Sequence, residues 1–71
     1  MTMEELVNRF TYHAPREDQV ERYEEIRRMA LTLATVVYGS CPESRERSLA
    51  LTKIEEAVMW ANAAIARNED G

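Results

Sequence analysis

Apolar side chains recur along this chain at helical spacing. Val20, Tyr23, Ile26, Ala30, Leu33 and Val37 fall three or four residues apart, which predicts a helix over residues 16–38 with one face turned to a partner. Its first half, REDQVERYEEIRR, is almost entirely charged outside that stripe, whereas its second half, MALTLATVVYG, is apolar nearly all round. A second long helix is predicted over residues 42–67. It ends in the block Ala57 to Ala66, where Asn62 is the one polar residue. A helix that is apolar on every side must be covered on every side. The block is also far shorter than the roughly 20 residues that a membrane span requires. A third, short helix is predicted over residues 3–9, where Leu6, Val7 and Phe10 give an apolar side. It is too short to be stable alone and must dock on the others.

Capping residues punctuate the pattern. Thr2 and Glu5 have the spacing of a capping box, as do Ser40 and Glu43, the latter with Pro42 in the first turn. Pro15 biases Ala14 towards an extended backbone and leaves Phe10, Tyr12 and His13 on a loop. Gly39 is the expected C′ residue, free to take a positive φ, so the turn Gly39-Ser40-Cys41 folds the long helices into an antiparallel hairpin. Ala57, Ala61 and Ala64 form a side of small residues that permits close approach; Met59, Trp60 and Ile65 point elsewhere, towards another subunit. Asn68 to Gly71 reads as a polar, frayed end. The predicted fold class is all-α: a short N-terminal helix and a long antiparallel helical hairpin in one domain, residues 1–71, assembled as a helical oligomer.

Composition strengthens the case for assembly. A chain of 71 residues buries only about 60% of its unfolded surface, and small scaffolds usually add disulfides, metals or partners. One cysteine excludes an internal disulfide, and one histidine with one cysteine does not make a structural zinc site. Self-association remains. A lone thiol suits a reducing cytosol, and the acidic Met1-Thr2-Met3-Glu4-Glu5 is not the start of a signal peptide. The net charge of −4 argues against polymeric DNA or RNA as a partner. Eight of the nine basic residues are nevertheless arginines, whose planar forks suit phosphates as well as surface carboxylates. No nucleophile with a base and an orienting group is visible, and Glu55 and Glu56 are adjacent residues that diverge on a helix, so an enzyme is not expected.

The words of the sequence add a resemblance. The block CPESRERSLALTKIEEAVMWANAAIARN, Cys41 to Asn68, resembles the helical-hairpin domain of phage anti-CBASS and anti-Thoeris proteins, small sponges that sequester the cyclic-nucleotide signals of bacterial immunity. Phe10-x-Tyr12-His13-x-Pro15 and Asp18-Gln19 are similar to the N-terminal motif of the same family. The resemblance covers essentially the whole chain. The anti-Thoeris relatives carry extra sequence beside the hairpin, and this short chain looks more like the anti-CBASS branch. The resemblance implies a homohexamer built as three dimers, without cofactor or metal, acting in the cytoplasm of the infected bacterial host and holding cyclic oligonucleotides uncleaved.

The candidate site residues carry two readings each. Phe10, Tyr12 and His13 read as loop staples or, for the rings, as faces on which bases stack; His13 reads best as a loop hydrogen-bonder. Arg27 borders the buried stripe, either snorkelling to pair with Glu24 or with an acid across the hairpin, or clamping a phosphate. The resemblance favours a cyclic dinucleotide site at Tyr12 and Arg27, with Phe10 and His13 beside them. Asn62 either fixes packing register, the preferred reading, or meets a base edge. Arg67, in the last turn, suits the helix dipole. The assembly that the resemblance implies would gather copies of this helix end, where Arg67 would join Asn62 and Asn68 in a second site for a cyclic trinucleotide. Periodicity and composition alone fit equally a helical protein-interaction module, an adaptor or an antitoxin-like oligomer. The resemblance tips the reading to a sponge.

Overall fold

The computed structural model describes residues 1–69. Three helices follow one another: α1, Met3–Arg9; α2, Glu17–Ser40; and α3, Arg45–Asn68. No strand is present among the described residues. In α1, Thr2 Oγ1 accepts from the Glu5 backbone N–H at 3.1 Å while the Glu5 carboxylate accepts from the Thr2 N–H at 3.3 Å, so both halves of the capping box form. Phe10 and Thr11 then close the helix with turn bonds to Val7 and Asn8. At the start of α2, Arg16 is the N-cap residue but has no side-chain acceptor. Gln19 supplies the reciprocal half, its Oε1 accepting from the Arg16 N–H at 3.0 Å.

The turn between the long helices differs from the expected one. Gly39 does not end α2 and no residue among those described has a positive φ. The helix runs on through Ser40, and Cys41 leaves it with φ −107° and ψ 139° while its N–H still bonds the Val37 carbonyl at 3.1 Å. Pro42 explains this: its ring disfavours the helical region for the preceding residue, so Cys41 must be extended. Ser40 is thereby used up in α2 and cannot cap α3. Ser44 does so instead, its Oγ accepting from the Arg47 N–H at 3.1 Å, and α3 begins at Arg45 rather than residue 42. Arg47 then caps the end of α2, donating to the carbonyls of Tyr38 at 3.2 Å and Cys41 at 3.4 Å with its guanidinium 4.6 Å from the centre of the Tyr38 ring.

α2 and α3, of 24 residues each, are about 36 Å long at 1.5 Å per residue and pack antiparallel along one seam. On α2 the seam is partly buried at Tyr23, Ile26, Ala30, Ala34 and Val37. Leu33, expected there, stands out in solvent, and Ala34 takes its place. On α3 the seam runs through Leu51, Ile54, Val58, Ala61 and Ile65. The alanine side predicted from spacing is therefore rotated: Ala57 and Ala64 are exposed, and Ile65 turns inward with Ala61. Small Ala30, Ala34 and Ala61 keep the helices close. Thr32 and Thr35 donate their hydroxyls to the Arg28 and Leu31 carbonyls, which hides their polarity against the helix.

The molecule measures 45 × 28 × 13 Å. Its thinnest dimension is about one helix diameter, so the hairpin is a single layer. A single layer cannot enclose a core, and among the described residues no apolar side chain is fully buried. Met29, Leu31, Leu33, Val36, Tyr38, Met59 and Trp60 are each more than half exposed. No helix is long and apolar enough to cross a membrane.

Candidate functional site

α1 and the loop after it fold over the open end of the hairpin. Asn8 Nδ2 donates to the Arg67 carbonyl at 3.0 Å, satisfying an orphan acceptor of the last turn of α3. His13 Nε2 meets the Asn8 carbonyl at 3.0 Å; since a carbonyl only accepts, Nε2 carries the proton. Thr11 donates its hydroxyl to the Val7 carbonyl at 2.6 Å. These bonds hold the loop as a lip over the helix pair. His13 is thus a loop hydrogen-bonder, in accord with its sequence reading.

Beneath the lip lies an open cleft of about 410 Å³. The loop contributes Tyr12 and His13, α2 contributes Tyr23 and Arg27, and α3 contributes Asn62 and Arg67. Arg9 closes the rim from α1. Tyr12 is exposed and offers a ring face. Among the described residues no carboxylate lines the cleft, whereas three arginines do. Among the described residues, Arg9, Arg27 and Arg67 stand in no ion pair, in contrast to Arg16, Arg22 and Lys53. The expected alternative for Arg27, pairing with Glu24, does not occur. An acidic protein therefore gathers three uncommitted guanidinium groups in one hollow, a setting suited to an anion with several oxygens.

The sequence-predicted residues are redistributed. Tyr12, His13 and Arg27 meet in the cleft. Asn62 and Arg67, assigned to a second site, line the same hollow within one chain. Phe10 and Asn68 do not line it: Phe10 is exposed, and Asn68 Nδ2 donates to the Ala64 carbonyl at 3.1 Å as part of the helix end. Arg67 also borders a second hollow against α1, shared with Thr2, Glu5 and Asn8. Asn62 Oδ1 is buried without a hydrogen-bond partner among the described residues, which is costly and marks a group waiting for a donor. With Arg27 it also borders an apolar groove along the hairpin, lined by Leu31, Leu51 and Met59. Sequence reasoning missed Arg9, which stands three residues before Tyr12, and placed Tyr23 in the seam alone.

Charge pairing is concentrated outside the cleft. The Glu69 carboxylate accepts from Arg22 Nη1 and Nη2 at 2.6 Å each, from Gln19 Nε2 at 3.0 Å and from Arg16 Nη2 at 3.4 Å. The bonds from Arg22, then Gln19, hold its pKa down at about 2, and the partnership raises that of Arg22. Glu69 is therefore not part of a frayed end; Asp70 and Gly71, also read so, lie outside the described residues. On the exposed side of α3, Lys53 Nζ and Trp60 Nε1 donate to Glu56 and lower its pKa.

Comparison with known proteins gives one match. Residues 3–66 match the family model described as the hairpin domain of Acb2/Tad1. Among curated proteins and solved structures none matches. The matched span contains all three helices up to the last turn of α3, the loop and every cleft residue except Arg67.

Proposed function

Because the chain belongs to the Acb2/Tad1 hairpin family, the anti-CBASS and anti-Thoeris sponge family, we propose that it sequesters cyclic oligonucleotide second messengers and so keeps them from the effectors of bacterial defence. The observation that carries the reading is the cleft. An exposed tyrosine ring and three arginines without a carboxylate partner among the described residues line one hollow on a protein of net charge −4. A cyclic dinucleotide is a ring of permanently ionised phosphates carrying flat bases, so it asks for forks and a π-face. Tyr12 stacks on a base and Arg27 grips a phosphate. His13 holds the lip, and Arg9 closes the rim.

A sponge needs affinity and copies, not chemistry, so the ligand is held and released intact in the host cytoplasm. Assembly belongs to the same reading. Both faces of a one-layer hairpin are apolar, and a second copy offers matching cover, which the family resemblance completes as a hexamer of three dimers. In that assembly the α3 ends come together, and Arg67 with Asn62 and Asn68 takes the larger ring of a cyclic trinucleotide.

Calorimetry against cyclic di- and trinucleotides tests this, with chromatography of the ligand recovered after heat release. Stoichiometric binding and unchanged ligand are expected. Linear nucleotide growing with protein would reveal an enzyme. No binding across the panel, with an apolar face that captures only proteins, would indicate an interaction module instead.

A further inference from the structure

The one residue among those described that is buried is polar: Gln19, at 5% exposure. Its amide links two elements. Oε1 accepts from the Arg16 N–H at the start of α2, and Nε2 donates to Glu69, just past the end of α3. Arg22, one turn along α2, grips the same carboxylate through both terminal nitrogens at 2.6 Å, the bidentate geometry in which arginine binds a carboxylate best. Asp18 in turn meets Arg22 Nη2 at 3.4 Å and Arg16 Nε at 3.8 Å, steadying both guanidinium groups. Two residues before Glu69, the Arg67 carbonyl is held from the other side by Asn8. The last turn of α3 is therefore tied to both neighbouring elements, and Arg67, whose side chain lines two hollows, lies between the ties.

We infer that Gln19, Arg22 and Glu69 form a latch that positions Arg67, setting where its guanidinium stands at the end of α3. The last turn of a helix lacks half its backbone bonds and frays when nothing beyond it is fixed. A buried amide with a bidentate ion pair is an uncommon investment on a protein with no buried apolar side chain among its described residues. The groups that face Glu69 are Arg16 and Arg22, with Asp18 behind them. The Arg22–Glu69 pair holds Glu69 ionised at neutral pH, and the latch is closed.

The inference extends the proposed second ligand seat at Arg67, so its test separates the two. Hydrogen exchange at the amides of residues 64–68 reads the latch without ligand. Glu69→Gln should speed exchange there by tenfold or more while amides at residues 51–58 keep the parent rate. Arg22→Lys, which keeps the charge and loses the fork, should give a smaller acceleration in a chain whose circular dichroism is that of the parent. Binding of cyclic triadenylate reads the consequence: Glu69→Gln should weaken it about tenfold, and should have no further effect in an Arg67→Ala background, because it acts through Arg67. A loss of global stability would persist in that background. Unchanged exchange in both variants, or an equal loss of binding with and without Arg67, overturns the latch. A parent that binds no cyclic trinucleotide overturns the second seat, and the exchange rates then decide the latch alone.

Discussion

Asn8 Nδ2 donates to the carbonyl of Arg67 at 3.0 Å, joining α1 to the end of α3 across 59 residues of sequence. The Asn8 carbonyl holds His13 at 3.0 Å, so one residue ties the helix end and the loop that carries Tyr12. Asn8→Ala removes the first bond and leaves the Arg67 carbonyl to water. A hydrogen bond of this kind contributes about 0.5–1.5 kcal/mol, and urea unfolding should show a loss in that range. Exchange at the amides of Thr11 to His13 should rise with it, because α1 then has less to dock on.

Tyr12 and Arg27 supply unlike parts of one proposed site. Tyr12→Ala should cost about 1–3 kcal/mol of cyclic dinucleotide binding, the worth of a lost stack. Arg27→Ala should cost about 1.5–3 kcal/mol, the worth of a charge-assisted hydrogen bond. The double variant should lose less than the sum, since both groups grip one ligand. Calorimetry on the four proteins checks this, and parent-like affinity in both single variants would move the pocket elsewhere.

The helices were legible in the sequence because their apolar residues repeat at 3.6, and the Thr2 cap because its partner is three residues away. The turn was not, because two signals competed: Gly39 permits an end to α2, but Pro42 compels one at Cys41. The phase of the seam slipped for a related reason. Where a helix is apolar all round, as at Leu33-Ala34 and Ala64-Ile65, periodicity no longer distinguishes inside from outside. Tyr12 was reachable through the family motif, and Arg27 through its resemblance to a basic position that works with the loop tyrosine. That they share a hollow with Arg9 and Arg67 depends on where α1 crosses the hairpin, a contact with no local signature. The Arg22–Glu69 pair, 47 residues apart, was invisible for the same reason.

Acid should open the Glu69 latch. Its folded pKa, about 2, lies below the ordinary 4.5. A carboxylate with a depressed folded pKa contributes stability that is complete above the unfolded value and is lost as pH falls through the folded one. The contribution should thus be full at pH 7, fall from about pH 4.5, and vanish near pH 2. Thermal melts of parent and Glu69→Gln should differ at neutral pH and converge across that window. A constant difference down to pH 2 would assign the effect to packing instead of charge.

Assembly should be obligate, because the two faces of the hairpin cannot cover themselves. One carries a groove of about 470 Å³ lined by Leu31, Leu51, Val58 and Met59. The other carries one of about 450 Å³ lined by Ile26, Met29, Leu33 and Ala57. Burying a large apolar side chain contributes about 1.5–3 kcal/mol, so several per copy suffice to hold copies together. Leu31→Glu and Trp60→Glu should each dissociate the assembly, since an unpaired carboxylate is costly to bury; Trp60→Glu also sets a second acid one turn from Glu56. Light scattering should give the parent a mass several times the 8.2 kDa of the chain. The dissociated variants should lose helicity as well, because the isolated hairpin has no buried apolar side chain among its described residues. A parent that stays folded as an 8.2 kDa monomer at micromolar concentration would show that one layer is enough, and the oligomer would have to be abandoned.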